Sequence, residues 1–158
     1  MASDFVHLHL HTHYSMLDGA CTIPGLVELA KEHDMSAMAI TDHGYMGGVE
    51  EFHRVLSGAG INPIIGVEAY VAPGDMRDFD SNKPFNRGGF HLVLLCENEQ
   101  GYLSLCKLMS AANKEGFHYK PRIDKEIMRQ YRDGLICTSA CIGGEISQYF
   151  LQGDTKRA

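Results

Sequence analysis

The chain has 158 residues, 44% of them apolar, enough for one sizeable core, and more than one domain is not expected. Twenty acidic against fourteen basic side chains give a formal net charge of -6, which argues against a strongly cationic nucleic-acid clamp but leaves room for a pocket where metal ions supply positive charge. The apolar runs are too short to span a bilayer, nothing resembles a signal peptide, and the five cysteines are irregularly spaced, so a cytoplasmic protein with reduced thiols is expected.

Val6 to His11 reads as the first strand, and His7, His9, His11 and His13 alternate there with Val6, Leu8 and Leu10. In extended backbone the imidazoles would share one face and the apolar residues the other, an alternation that an expression tag or surface histidine run lacks. Asp18-Gly19 marks a turn. Thr22 predicts an N-cap for a helix with Leu26, Leu29, Ala30 and His33 at helical spacing and Pro24 in its first turn. Ala37 to Thr41 is the second strand, and Val49, Phe52, Val55 and Leu56 stripe a second helix that ends near Gly58 and Gly60. Ile64 to Val71 is the third strand, and residues 72–89, rich in Pro, Gly, Asp and Asn, form a long polar loop. Phe90 to Leu95 is the fourth strand. Tyr102, Leu105, Leu108, Met109 and Ala112 stripe a third helix, Asp124 caps a short fourth, and Leu135 to Ser139 is the fifth strand before a polar tail.

Five βα-like repeats without a clear hairpin predict a mainly parallel sheet with helices outside, an α/β barrel. Such a barrel normally needs about eight units and roughly 250 residues, so a partial barrel lacking its closing strands is expected.

The residues that carry chemistry lie in separated segments. His9 and His11 are the first candidate metal ligands, with His7 as an orienting neighbour and His13 a loop residue. Asp18 can swing back toward the same mouth, or simply form a turn. Asp42 and His43 stand at a strand terminus, His43 as a ligand and Asp42 orienting an imidazole from behind. Glu68 interrupts an apolar strand, where a carboxylate is costly unless paired or coordinated; it is the candidate bridge between two ions, a salt bridge being the alternative. His91 opens the fourth strand as ligand or core histidine, and Cys141 follows the fifth as a thiolate suited to zinc, whereas Cys137 belongs to the core. His33, His53 and His118 are read as structural.

These candidates exceed what one tetrahedral ion uses, so two or three metals are expected. Such clusters hydrolyse phosphate esters, with His9, His11 and Glu68 acting through water activated by the bound ions. A two-His-one-carboxylate iron site would leave His43, His91 and Cys141 idle, and a Cys141 nucleophile lacks a dedicated histidine. No glycine-rich dinucleotide or phosphate loop is present.

His9-Leu10-His11-Thr12, Thr41-Asp42-His43-Gly44, Gly66-Val67-Glu68, His91 and Cys141 resemble the polymerase and histidinol phosphatase (PHP) superfamily of metal-dependent phosphoesterases, which implies a distorted seven-stranded barrel. Residues 7–19, 60–70, 115–124, 134–136 and 139–141 resemble, more narrowly, the PHP domain at the N-terminus of bacterial DNA polymerase III alpha subunits. The resemblance implies that residues 1–158 are part of such a domain. It implies a trinuclear centre held by His9, His11, Asp18, His43, Glu68, His91 and Cys141, with zinc or manganese as the metal. A 3'-5' proofreading exonuclease within a DNA-directed DNA polymerase would follow. Partners would be DNA and the other subunits of the replicative polymerase, with no membrane. The resemblance also implies two further ligands, an Asp and a His one residue apart; neither is in this sequence, leaving Glu68, His91 and Cys141 to hold one ion without them. Arg87, Lys120, Arg122 and Tyr14, and also Tyr45, are candidate DNA contacts, or ordinary surface residues. The alternatives in other classes are a non-catalytic scaffold of the polymerase and a stand-alone small-molecule phosphatase.

Overall fold

The computed structural model describes residues 5–158. In chain order the elements are α1 (Ile23–Glu32), β1 (Ala37–Ile40), α2 (Val49–Gly58), β2 (Asn62–Val71), β3 (Phe90–Cys96), α3 (Glu99–Lys114), β4 (Phe117–His118), β5 (Lys120–Ile123), α4 (Lys125–Gln130), β6 (Leu135–Thr138) and α5 (Glu145–Leu151). Residues 72–89 connect β2 to β3 with no helix or strand between them.

The helices follow local chemistry. Thr22 accepts a hydrogen bond from the Gly25 amide and caps α1, whose Ile23, Leu26 and Ala30 are buried while Leu29 and His33 face outward. The Asn98 side chain caps α3 through the Gly101 amide, and Leu105, Leu108, Met109 and Ala112 form its buried stripe. Asp124 caps α4: Oδ1 accepts from the Ile127 amide at 2.8 Å, and Oδ2 accepts from the Met76 amide at 3.0 Å. Asp124→Ala therefore removes a cap and strands a buried loop amide, and urea unfolding should register a loss of about 2–3 kcal/mol.

The sheet corrects the parallel expectation, because β2 pairs β3 and β3 pairs β6 antiparallel, while β1 and β5 run parallel to β2. The long connection 72–89 can return the chain in either direction. Since β3 takes one edge of β2 along residues 66–71, β1 and then β5 occupy successive stretches of the other. The handover falls at Gly44, whose φ of +57° turns the chain away. A Cβ there would stand 3.0 Å from the Tyr70 ring and from Pro121. The result is a mixed, incompletely closed sheet of the partial-barrel kind expected.

Sheet faces sort by alternation. Val67, Ala69 and Val71 with Phe90 and Leu94 pack against the buried face of α3. On the other face, Glu68 and Tyr70 stand beside Val93 and His91 in register, above a small floor of Ala39, Val93 and Leu95. Met38 and Ile40 of β1 join Leu26, Phe52 and Leu56 in a second core beneath α1 and α2.

The first expected strand does not form. His7 and Leu10 carbonyls accept from the Ala39 and Thr41 amides, so three steps of this segment oppose two of β1. The Leu10 amide, moreover, donates to the Thr41 hydroxyl at 2.7 Å instead of to a backbone carbonyl. That offset breaks the alternation: Leu10 packs on the α1/α2 core, whereas Leu8 is 44% exposed. Three elements went unread in the sequence: the two-residue β4, β5, where Pro121 and Arg122 disguise the strand, and α5 near the end of the chain.

Candidate metal centre

Glu68 is 1% exposed and lies within the longest strand, yet among the described residues no lysine or arginine pairs with it. Four histidines and a cysteine surround it instead. Oε2 has His9 Nε2 at 3.0 Å, His11 Nε2 at 2.9 Å and His43 Nδ1 at 3.0 Å. Oε1 has His91 Nδ1 at 2.8 Å and Cys141 Sγ at 3.5 Å, and that sulfur is 3.6 Å from His91 Nδ1. On the far side of His43, Nε2 stands 2.9 Å from Asp18 Oδ2.

The groups arrive from separate parts of the chain, His9 and His11 together from the segment before α1. Glu68 and His91 come from paired strands. His43 follows β1, held alongside β2 because the Glu68 amide donates to the Asp42 carbonyl and the Gly44 amide to the Glu68 carbonyl. Cys141 sits in the turn after β6, where the His91 amide donates to the Gly143 carbonyl and the Gly143 amide reaches the sulfur at 3.3 Å. Asp18 belongs to a loop closed by a bridge between Thr12 and Cys21, and a Cβ on Gly19 would strike the Thr12 carbonyl at 1.8 Å.

The arrangement suits a cation. Among the described residues, Glu68 Oε2 and His43 Nδ1 are buried polar atoms at ion-pair distance that no aligned hydrogen bond satisfies. His9 Nε2 and His11 Nε2 also face one another at 3.2 Å. Two triads, His9–His11–Glu68 and His43–Glu68–His91, offer ligand atoms within 4.8 Å of one another. Imidazole nitrogen, carboxylate oxygen and sulfur are the donor set of zinc and its first-row neighbours. The residues therefore fit the metal expected from the sequence.

Ionisation follows the same geometry. Burial works to raise the Glu68 carboxyl, but the imidazoles of His11, His91 and His9 and the charge on His43 outweigh it and hold the group far below the usual carboxylate range. The Glu68 carboxylate beside it raises His11 against the effect of burial, whereas burial dominates at His43 and lowers it. Burial lifts the Cys141 thiol, opposed by the Gly143 amide. Tyr70, stacked on His43, is pushed up to about 12 by burial and then by the Glu68 charge.

The remaining expected residues divide. Asp42 touches no imidazole: its Oδ1 accepts from the Thr12 amide at 2.7 Å and the Ser15 hydroxyl at 2.8 Å, and its Oδ2 from the Thr12 hydroxyl at 2.8 Å. Ser15 was missed in the sequence, where a lone serine carries no pattern; the signal was a buried-strand Asp42 in need of donors. His7 stands apart, edge-on to Phe5, and His13 lies against Tyr14. Lys120 Nζ sits 5.3 Å over the Tyr70 ring. It lines a cleft of about 570 Å³ with Tyr14, Asp18, His43, Tyr45 and Tyr70, beside the cluster. Arg87 lies over Tyr119.

Arg122 is a correction. It is 0% exposed and donates to the Gly116, Asn86, Met76 and Asp78 carbonyls and to the Asn86 side chain, so it holds the 72–89 loop and cannot meet DNA.

No helix among the described residues is long and apolar enough to cross a membrane. The chain is 47% identical over 149 residues to DNA polymerase III subunit alpha of Borreliella burgdorferi, covering 94% of this chain and 13% of that one. It is 46% identical over 154 residues to the subunit of the same name in Treponema pallidum, covering 98% of this chain and 13% of that one. An amidohydrolase from Chromobacterium violaceum shares a TM-score of 0.48 and 25% identity over 69% of this chain and 33% of its own. The chain thus spans about an eighth of the polymerase subunits it matches. The PHP domain family matches residues 7–158, a span that includes every candidate ligand from His9 to Cys141, and the chain belongs to that family.

Proposed function

We propose that residues 1–158 are part of the N-terminal PHP domain of a bacterial replicative DNA polymerase III alpha subunit, and that this domain hydrolyses phosphodiester bonds at the 3' end of DNA. The observation that carries the reading is the convergence of His9, His11, His43, His91 and Cys141 on the two oxygens of one buried carboxylate, Glu68. The likeness in sequence to the polymerase subunits supports DNA and the companion polymerase subunits as partners.

His9, His11, Asp18, His43, Glu68, His91 and Cys141 are the proposed ligands of zinc or manganese, up to three ions in the complete domain. When bound, such ions supply Lewis acidity and neutralise charge on the attacked and leaving oxygens of a phosphodiester. The chain's own residues supply the rest. Glu68, already ionised, offers one oxygen to the His9–His11–His43 side and the other to the His91–Cys141 side. Lys120 brings the positive charge in the adjoining cleft, where a DNA phosphate is drawn in, and Tyr14 and Tyr45 offer ring faces to a terminal base.

The purified chain, incubated with zinc or manganese and then dialysed, should retain at least one ion per molecule by elemental analysis. Retention of none, with the chain folded, sinks the reading. In the alpha subunit that carries this domain, a metal-dependent release of nucleotides from a 3'-labelled primer is expected. Release of phosphate from small monoesters instead would favour a phosphatase, and metal uptake without either product would favour a scaffold.

A further inference from the structure

Ser15 lies behind the cluster, buried, and its hydroxyl is fully engaged. The backbone amide of His43 donates to Oγ at 3.1 Å, and that donor has no alternative role. Asp42 Oδ1, 2.8 Å away, has no proton to give, so the single hydroxyl proton of Ser15 must point to it. His11 Nδ1, at 3.2 Å, is the third neighbour. With the hydroxyl proton spent on Asp42, the contact is a hydrogen bond only if Nδ1 carries the proton and Ser15 accepts it.

We propose that Ser15, oriented by Asp42, is a positioning residue that fixes His11 in the Nδ1–H tautomer and so presents Nε2 as a bare lone pair to the cluster. This inference rests on the metal-centre reading for its purpose, and on hydrogen-bond accounting alone for its content. The consequence at the front of the ring is unfavourable without a cation. A bare Nε2 faces Glu68 Oε2 at 2.9 Å, lone pair against lone pair, with His9 Nε2 3.2 Å away. A cation turns the approach to Glu68 from repulsive to binding. The same hydroxyl also ties the His43 backbone, so one oxygen registers two proposed ligands, His11 and His43, from separate segments.

Asp42 has a second anchor that makes the relay directional. Oδ1 also accepts from the Thr12 amide at 2.7 Å, an obligatory donor, so any residue substituted there must keep an acceptor at that position. Asp42→Asn can do so, placing its amide nitrogen toward the Thr12 hydroxyl and leaving Ser15 still donating. Asp42→Asn should therefore preserve the His11 tautomer, whereas Ser15→Ala should lose it.

The test reads the ring nitrogens directly. In the metal-free chain labelled with nitrogen-15, at a pH above the imidazole titrations, the His11 signals are assigned by their loss in His11→Gln. Wild type and Asp42→Asn should show a protonated Nδ1 and an unprotonated Nε2. Ser15→Ala should shift toward the Nε2–H form and, in competition with a chromophoric chelator, bind zinc about 10- to 100-fold more weakly. Circular dichroism separates this from unfolding. A wild-type His11 protonated on Nε2, or a Ser15→Ala chain with the Nδ1–H form intact, overturns the assignment. A wild-type chain that takes up no zinc defeats the metal-centre reading, while the nitrogen shifts alone decide the role of Ser15.

Discussion

If the proposed function holds, replacing Glu68 by Gln should abolish metal retention and lower the metal-dependent phosphodiester hydrolysis proposed for the alpha subunit on the order of 10³-fold, because several kcal/mol of charge stabilisation would depend on the ions it gathers. Glu68 is the one proposed ligand that faces every other except Asp18. Its Oε2 confronts His9, His11 and His43, its Oε1 confronts His91 and Cys141, and substitution removes the negative charge that these neighbours share. Gln keeps the volume, so the small floor of Ala39, Val93 and Leu95 should stay packed. Elemental analysis, a 3'-end nuclease assay and nucleotide incorporation by the same subunit separate the outcomes: hydrolysis falls, incorporation stays. Undiminished nuclease activity in the Gln variant would refute the assignment.

Arg122→Met should destabilise the chain by about 3–5 kcal/mol, the cost of taking a charged donor away from several buried acceptors. Its guanidinium is the donor for four carbonyl groups and the Asn86 side chain, and Asn86 in turn donates to the Asp78 and Asp80 carbonyls. Burial lowers the Arg122 pKa, but a guanidinium stays charged; its loss strands the Met76 and Asn86 carbonyls, while Asp78 keeps the Asn86 amide and Gly116 the residue-122 backbone amide. A lysine should recover only part of the loss, having three donors in place of five. The measurement is a urea midpoint together with proteolysis of residues 72–89, which should be cut far faster in the Met variant. An unchanged midpoint would show that water replaces the guanidinium without cost.

What could be read from the sequence was what is decided locally. Thr22 and Asp124 are caps because their side chains answer amides three residues on, and the α3 stripe follows from helical spacing. The candidate ligands were legible for a related reason: His9, His43, Glu68, His91 and Cys141 each sit at a strand terminus or interrupt an apolar run, where a polar side chain needs an explanation. Strand direction was not legible, since the 72–89 loop hides whether β3 returns beside β2. The first strand failed because a single hydroxyl, Thr41 Oγ1, took a backbone amide that the alternation assigns to a carbonyl. Arg122 failed because an arginine in a polar stretch reads as surface, and only the loop folded around it reveals an internal post.

The irregular segment that carries His9 and His11 has a dynamic consequence. It is tethered to β1 through a few backbone contacts rather than a continuous ladder, so its amides should trade protons with solvent soon after those of β2 and β3 remain silent. Cation capture would then act as a latch, and deuterium uptake across residues 7–13 should slow on loading while the central strands hardly change.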